Sequence, residues 1–184
     1  MTAAEVEGWL PGARRVLSPN RDARPDGVAI DLAVVHSISL PPGVYGGDAV
    51  ERLFTNRLDW DEHPYYATIR GLRVSSHLFV RRDGSLVQFV PIGERAWHAG
   101  ASAWRGRERC NDFSVGIELE GLEGDGFEPA QYAALADVLH ALRRDRGVAA
   151  VAGHEDVAPG RKHDPGPGFD WRRLAGMLGG WHFR

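Results

Sequence analysis

"VAAVAGHEDVAPGRKHDPGPGFDW", residues 148 to 171, is where the chain changes character. Its opening, "VAAVAGH", is an apolar run of strand length that ends at His154. The residues beyond it are rich in proline and glycine, which mark a loop. That loop also carries Lys162, His163 and Asp164, groups that bind metals or move protons, with Pro165 and Pro167 stiffening it. Asp170 then offers a cap for a last helix over "WRRLAGMLGG". A short buried strand that delivers a histidine to a rigid polar loop points to a sheet whose edge carries a site.

The upstream sequence supplies the rest of that sheet. "VAIDLAVVHS", residues 28 to 37, is nearly continuous in apolar residues and ends at His36, the pattern of a fully buried strand. "VSSHLFVRRDGSLVQFV" reads as a hairpin turning at Asp83-Gly84. "FSVGIELEG" is a further strand, and its period of two puts Glu118 and Glu120 on one face. "EPAQYAALADVLHALRRDRG" is the clearest helix, with Pro129 in its first turn, Gly147 as its stop and a buried stripe of Tyr132, Leu135, Ala136, Leu139 and Leu142. "GGDAVERLF" adds a shorter helix with Asp48 as N-cap. The expectation is an α/β fold: a single domain over residues 1–184 with a central mixed β-sheet flanked by α-helices. Residues 1–27 are expected to wrap the surface. Residues 37–75, which begin with Pro41, Pro42, Gly43, Gly46 and Gly47, form a candidate cover over the site.

Composition narrows the function classes. With 184 residues, 43% hydrophobic and 26% charged, the chain can build one domain with a substantial core. A formal net charge of -3 gives no basic field for nucleic acid or a membrane surface. The basic run Arg143-Arg144-Asp145-Arg146 sits at a helix end, where it complements the dipole. The single cysteine, Cys110, fits a reducing compartment. "MTAAEVEGWLPGARRV" has acidic residues and no apolar centre of a signal peptide, and no stretch approaches the ~20 apolar residues of a membrane helix. A cytoplasmic protein is the expectation.

If the two strands ending in His36 and His154 run parallel, both imidazoles stand at the same edge of the sheet. Asp164 follows ten residues after His154. Two histidines and one carboxylate with a fourth position open is the arrangement of catalytic zinc; structural sites are closed and often cysteine-rich. The competing reading is that each histidine is simply a hydrogen-bonded edge residue. The helical HExxH signature is absent, since no histidine follows His154 by four. Glu118, inside an apolar strand, is either half of an ion pair or a general base whose pKa burial raises. Lys162 is either a surface lysine or, turned inward, a group that stabilises an oxyanion. Trp97, beside His98 in "RAWHAG", is either core or a wall for a ring-shaped ligand.

At this point the chain resembles the AmpD-type N-acetylmuramoyl-L-alanine amidases, relatives of phage lysozyme-like amidases and peptidoglycan recognition proteins. The resemblance runs over nearly the whole chain and is carried by "VVHSISLPPGVYGG", "RRDGSLVQFVP", "RAWHAG", "GRERCNDFSVGIELEG" and "DPGPGFDW" in order. It implies zinc held by His36, His154 and Asp164, a catalytic Glu118 and a catalytic-site Lys162. It further implies Trp97 and His98 near the muramyl group, and Arg73 and Arg109 as contacts for the acidic end of the peptide, which a guanidinium fork suits. The implied substrate is a cytosolic anhydromuropeptide, cut between (anhydro-)N-acetylmuramic acid and L-alanine during peptidoglycan recycling, by a monomer. Two positions depart from the family pattern. Ser37 stands where relatives carry Asn, which weakens the case for a peptide contact there, and His163 stands where Thr is expected. The rivals are a module that binds muropeptides without cutting them, an amidase acting on intact wall, and a structural zinc domain. The donor set also admits cobalt or manganese.

Overall fold

The computed structural model describes residues 8–184. Its frame is a mixed sheet built from β1 (Arg14–Arg15), β3 (Leu32–Ile38), β4 (Leu78–Val80), β5 (Leu86–Gln88), β9 (Ser114–Glu120), β10 (Ala150–Gly153) and β11 (His182–Phe183). Two short pairs stand apart from it: β2 (Arg21–Asp22) with β6 (Arg95–Ala96), and β7 (Ala103–Trp104) with β8 (Arg107–Glu108). Spatial order in the main sheet is β1-β5-β4-β9-β3-β10-β11. The centre, β4-β9-β3-β10, is parallel, and the β4–β5 hairpin is antiparallel. The expected mixed sheet is therefore observed, and the strand bearing His36 runs parallel to the strand that leads into His154.

The hairpin turns where Asp83-Gly84 predicted. Asp83 Oδ1 accepts from Ser85 N at 2.8 Å, and Gly84 N donates to Arg81 O at 2.9 Å. Two other connections are helix-bearing crossovers on opposite faces. The long one between β9 and β10 contains α3 (Pro129–Arg146); the one between β3 and β4 contains α1 (Ala49–Phe54) and α2 (Pro64–Thr68). Helices α4 (His154–Val157) and α5 (Trp171–Met177) complete the set among the described residues. Asp48 occupies the N-cap position of α1 without a side-chain cap bond, whereas Asp170 caps α5 by accepting from Arg173 N at 3.0 Å.

Helix α3 follows its sequence pattern. Pro129 sits in its first turn, Gly147 closes it in the left-handed conformation at φ 74° with its N–H on Arg143 O, and the predicted stripe from Tyr132 to Leu142 is buried. Gln131 fastens its start to the sheet, donating to Glu120 O at 3.0 Å and Val80 O at 3.3 Å. The stripe packs on Ala33, Val35, Val115, Ile117, Leu119 and Val151, the odd-numbered apolar side chains of β3, β9 and β10. Each large aliphatic group buried there contributes roughly 1.5–3 kcal/mol.

The even-numbered face is divided. One apolar cluster, around Leu53, Phe54, Phe79 and Phe89, lies under the β3–β4 crossover; another, around Leu32, Val34, Phe113 and Ala152, lies under the segment from Ala99 to Cys110. Between them the strands present His36 and Glu118.

The N-terminal segment does more than wrap the surface. β1 adds a strand to the sheet beside β5, β2 pairs with β6, and Ser18 and Asn20 are buried. Residues 1–7 of that segment lie outside the described residues. No helix of the described residues is long and apolar enough to cross a membrane.

Candidate active site

Register decides where the site groups stand. His36 on β3 is level with Glu118 on β9, which is level with Phe79 on β4. His36 does not end its strand as the sequence suggested; β3 continues through Ser37 and Ile38. Val35 is level with Gly153 on β10, and His154 follows as the first residue of α4 rather than the last of a strand. The strand end and helix start together aim its ring back toward His36. Asp164 is returned to the same point by the loop after α4, where Asp164 O accepts from Glu155 N at 2.9 Å.

Three ligand atoms form a small triangle. His36 Nδ1 lies 2.9 Å from His154 Nδ1 and 3.2 Å from Asp164 Oδ2, and His154 Nδ1 lies 3.1 Å from the same oxygen. His36, His154 and Asp164 are all buried. Ligand bonds of about 2.0–2.2 Å around a tetrahedral ion separate the donor atoms by roughly 3.3 Å, so the triangle fits such an ion with one corner left for solvent. The far nitrogens support this. His154 Nε2 faces Ala99 O at 3.2 Å, and a carbonyl only accepts, so that nitrogen carries the proton and Nδ1 keeps its lone pair. His36 Nε2 is 2.9 Å from His98 Nδ1.

Electrostatics set the protonation states. Burial, aided by the neighbouring His154, pushes the His36 imidazole down to about 4, so it is neutral at physiological pH. Burial would raise the Asp164 carboxyl, but the hydrogen bonds with His154 and His36 outweigh it and hold the group well below the usual carboxylate range. Glu118 goes the other way: burial first, then the Asp164 charge, raise it well above its ordinary value, with Lys162 opposing. Glu118 Oε2 is buried with no hydrogen-bond partner among the described residues. A buried carboxylate oxygen left bare is costly, and its position on the cavity wall fits a group that meets water or substrate.

The cavity encloses about 580 Å³, an ordinary size for a small-molecule site. Its wall brings together His36, Ser37, Arg73, Trp97, His98, Glu118, His154, Lys162 and Asp164. Of the residues singled out in the sequence, Arg109 and His163 do not line it; Arg109 is exposed and pairs with Asp112 at 3.1 Å. The His98 ring lies against Gly116, where an added Cβ would come within 2.4 Å of His98 Cγ, so only glycine admits the ring. The β3–β4 crossover contributes Leu40, Leu53, Tyr65, Ile69 and Leu72 to the opposite wall.

Sequence reading missed two groups that shape this wall. Arg161 donates to Ala99 O at 2.6 Å and to Ala101 O at 2.7 Å, tying the Asp164 loop to the His98 segment. Asn111 Oδ1 accepts from His98 N and Ala99 N at 3.2 and 2.8 Å. Arg161 stands beside Lys162 in "GRKHD" and Asn111 follows Cys110, so adjacency to motif residues was the available signal.

His36, His154 and Asp164, gathered at the carboxyl end of parallel strands beside a buried glutamate, form a group that could hold a metal ion on an α/β scaffold. The particular family follows from comparison with known proteins: the N-acetylmuramoyl-L-alanine amidase family matches residues 26–167, and the chain belongs to it. The chain is 54% identical over 174 residues to the 1,6-anhydro-N-acetylmuramyl-L-alanine amidase AmpD of Citrobacter freundii, covering 94% of this chain and 93% of that protein. A crystal structure of a Se-Met AmpD derivative superimposes with a TM-score of 0.90 at 52% identity, covering 94% of this chain and 97% of that one. The Escherichia coli amidase AmiD, in complex with anhydro-N-acetylmuramic acid-L-Ala-D-gamma-Glu-L-Lys, superimposes with a TM-score of 0.58 at 32% identity, over 84% of this chain and 60% of that chain.

Proposed function

We propose that this amidase hydrolyses the amide between anhydro-N-acetylmuramic acid and L-alanine in muropeptides, with zinc at His36, His154 and Asp164. The observation that carries the proposal is the triangle of 2.9, 3.1 and 3.2 Å with Glu118 on the adjacent strand, level with His36. The names and bound substrate of the related amidases supply the substrate class. When bound, zinc would acidify a water to a pKa of about 7 and polarise the scissile carbonyl.

The protein's own groups do the rest. A His36 imidazole held neutral, a His154 ring whose Nε2 faces Ala99 O and an Asp164 carboxylate held ionised keep the three donors ready at neutral pH. Glu118, with its raised pKa, takes the proton of the attacking water as oxygen adds to the lactyl carbonyl carbon. It returns that proton to the alanine nitrogen as the C–N bond breaks. Lys162 lines the cavity close enough for its charge to act on both His36 and Glu118, and its ammonium opposes the negative charge that develops on the carbonyl oxygen. Trp97 and the apolar crossover residues form walls for the sugar ring. Arg73 on the cavity wall, and Arg109 outside it, are the cations offered to the acidic end of the peptide. Ser37, on the cavity wall next to the first ligand, is the polar residue offered to the peptide there.

The physiological setting proposed is peptidoglycan recycling in the cytoplasm by a monomer, with the 37–75 crossover as a cover that closes over product. Mass spectrometry of the purified protein with an anhydromuropeptide tests the activity: free peptide should appear, and a chelator should abolish it. Turnover by fully demetallated protein would sink the metal assignment. His36→Ala and His154→Ala should each lower zinc content by elemental analysis, whereas Glu118→Ala should retain zinc and lose turnover. Release of peptide from intact wall at the same rate would point to a wall-degrading role instead. Hydrogen exchange in residues 37–75 that is unchanged by product would count against the cover.

A further inference from the structure

Both histidine ligands owe their proton placement to the same stretch of backbone. For His154 the link is direct, through Ala99 O at 3.2 Å. For His36 it is relayed. Ser114 Oγ lies 2.6 Å from Cys110 O, and because a carbonyl only accepts, the hydroxyl proton points there. The serine oxygen is then left as an acceptor for His98 Nε2 at 3.2 Å. A neutral His98 with its proton on Nε2 has a bare Nδ1, which accepts from His36 Nε2 at 2.9 Å. His36 is thereby left with its lone pair on Nδ1, the atom that faces His154 and Asp164.

We infer that His98 and Ser114 are positioning residues that fix the His36 tautomer and ring orientation, so that the two side chains set the affinity of the metal site without touching the metal. The inference rests on the zinc reading above. Three further features belong to the device. Gly116 leaves the space in which the His98 ring lies. Asn111 holds the backbone N–H groups of His98 and Ala99, so one side chain indexes both the relay and the carbonyl that serves His154. Ser114 opens β9, the strand that carries Glu118, so the relay and the general base share one rigid element. Its members are buried, at 8% for His98 and 0% for Ser114, which keeps competing water from the chain. Partners of this kind typically change metal affinity 10–100-fold when removed.

Two measurements test the inference. Long-range ¹H–¹⁵N spectra of the imidazoles in zinc-free wild-type protein at pH 7.5 should place the proton of His98, His36 and His154 on Nε2 in each ring. A His98 proton on Nδ1 overturns the relay, and this readout needs no variant to fold. Zinc dissociation constants by competition with a chromophoric chelator should rise 10–100-fold in Ser114→Ala and His98→Phe, with the melting temperature of zinc-free Ser114→Ala close to wild type. Unchanged zinc affinity in Ser114→Ala overturns the inference; so does a loss of zinc affinity matched by an equal fall in the stability of the zinc-free protein, which would reveal a merely structural role. Wild-type protein that takes up no zinc defeats the metal assignment, while the spectra still decide the proton placement.

Discussion

The two faces of the central strands are equally buried and chemically opposite. On the face under α3, β9 presents Val115, Ile117 and Leu119; on the other it presents Ser114, Gly116, Glu118 and Glu120, all inaccessible or nearly so. Burial alone therefore does not separate core from site. The separation lies in what each buried group needs. An aliphatic side chain gains by leaving water and asks only for close packing. A carboxylate must find partners or bear a desolvation cost. Glu120 finds them: Gly46 N at 2.7 Å, Arg82 N at 3.1 Å and Arg81 at 3.6 Å. It thus anchors the start of the β3–β4 crossover to the sheet. Glu118, two residues earlier on the same face, keeps one oxygen without any protein partner among the described residues. That difference separates a glutamate bonded into the scaffold from the one that serves as base in the proposed reaction.

Three substitutions, one of them measured in two ways, break or sharpen the contrast. The largest effect is expected from Glu118→Gln, which preserves shape and removes the base: turnover of anhydromuropeptide should fall by about 10²–10⁴ with zinc content retained. Turnover within tenfold of wild type would return Glu118 to the scaffold. Next, Leu139→Ala under the opposite face should cost roughly 2–5 kcal/mol in urea unfolding, because Leu139 is fully buried in the α3 layer. Turnover per folded molecule should not change. Third, Glu120→Ala should cost about 1–3 kcal/mol, since it leaves the Gly46 and Arg82 N–H groups without their acceptor; elemental analysis should show full zinc. The smallest effect has the opposite sign. Burial raises the folded-state pKa of Glu118, so the acid form favours folding below the unfolded value of about 4.3, and that advantage is lost as pH climbs through the folded value. Zinc-free Glu118→Gln should therefore melt higher than zinc-free wild type at pH 7 to 8, with the gap closing toward pH 4. Parallel melting curves across that range would mean that the carboxylate is not destabilised where it sits.

Much of this was legible in the chain. The α3 stripe, the hairpin at Asp83-Gly84 and the apolar runs before His36 and His154 are local patterns with fixed periods, and each formed where its period placed it. The pairing of Glu118 with Glu120 on one face followed from strand alternation. The family resemblance also placed His36, His154, Asp164, Glu118 and Lys162, and the structure brings those five to one cavity. Element ends were less legible. β3 runs two residues past His36 because Ser37 and Ile38 still pair with Leu119 and Glu120, and a partner strand is invisible to a local reading. The N-terminal segment showed no period, yet it supplies an edge strand, because two residues of backbone pairing leave no pattern in side chains.

What the sequence determined by itself is the set of groups: two imidazoles, two carboxyls and an ammonium, carried on strands and a stiff loop whose identity local patterns declare. What the tertiary structure alone decided is their state. Parallel register set His36 level with Glu118, crossover packing left one glutamate bare and the other bonded, and a chain of contacts through His98 and Ser114 fixed where a proton sits. Protonation and partnership depend on distances of about 3 Å between residues far apart in the chain, and those distances exist only once the sheet is assembled.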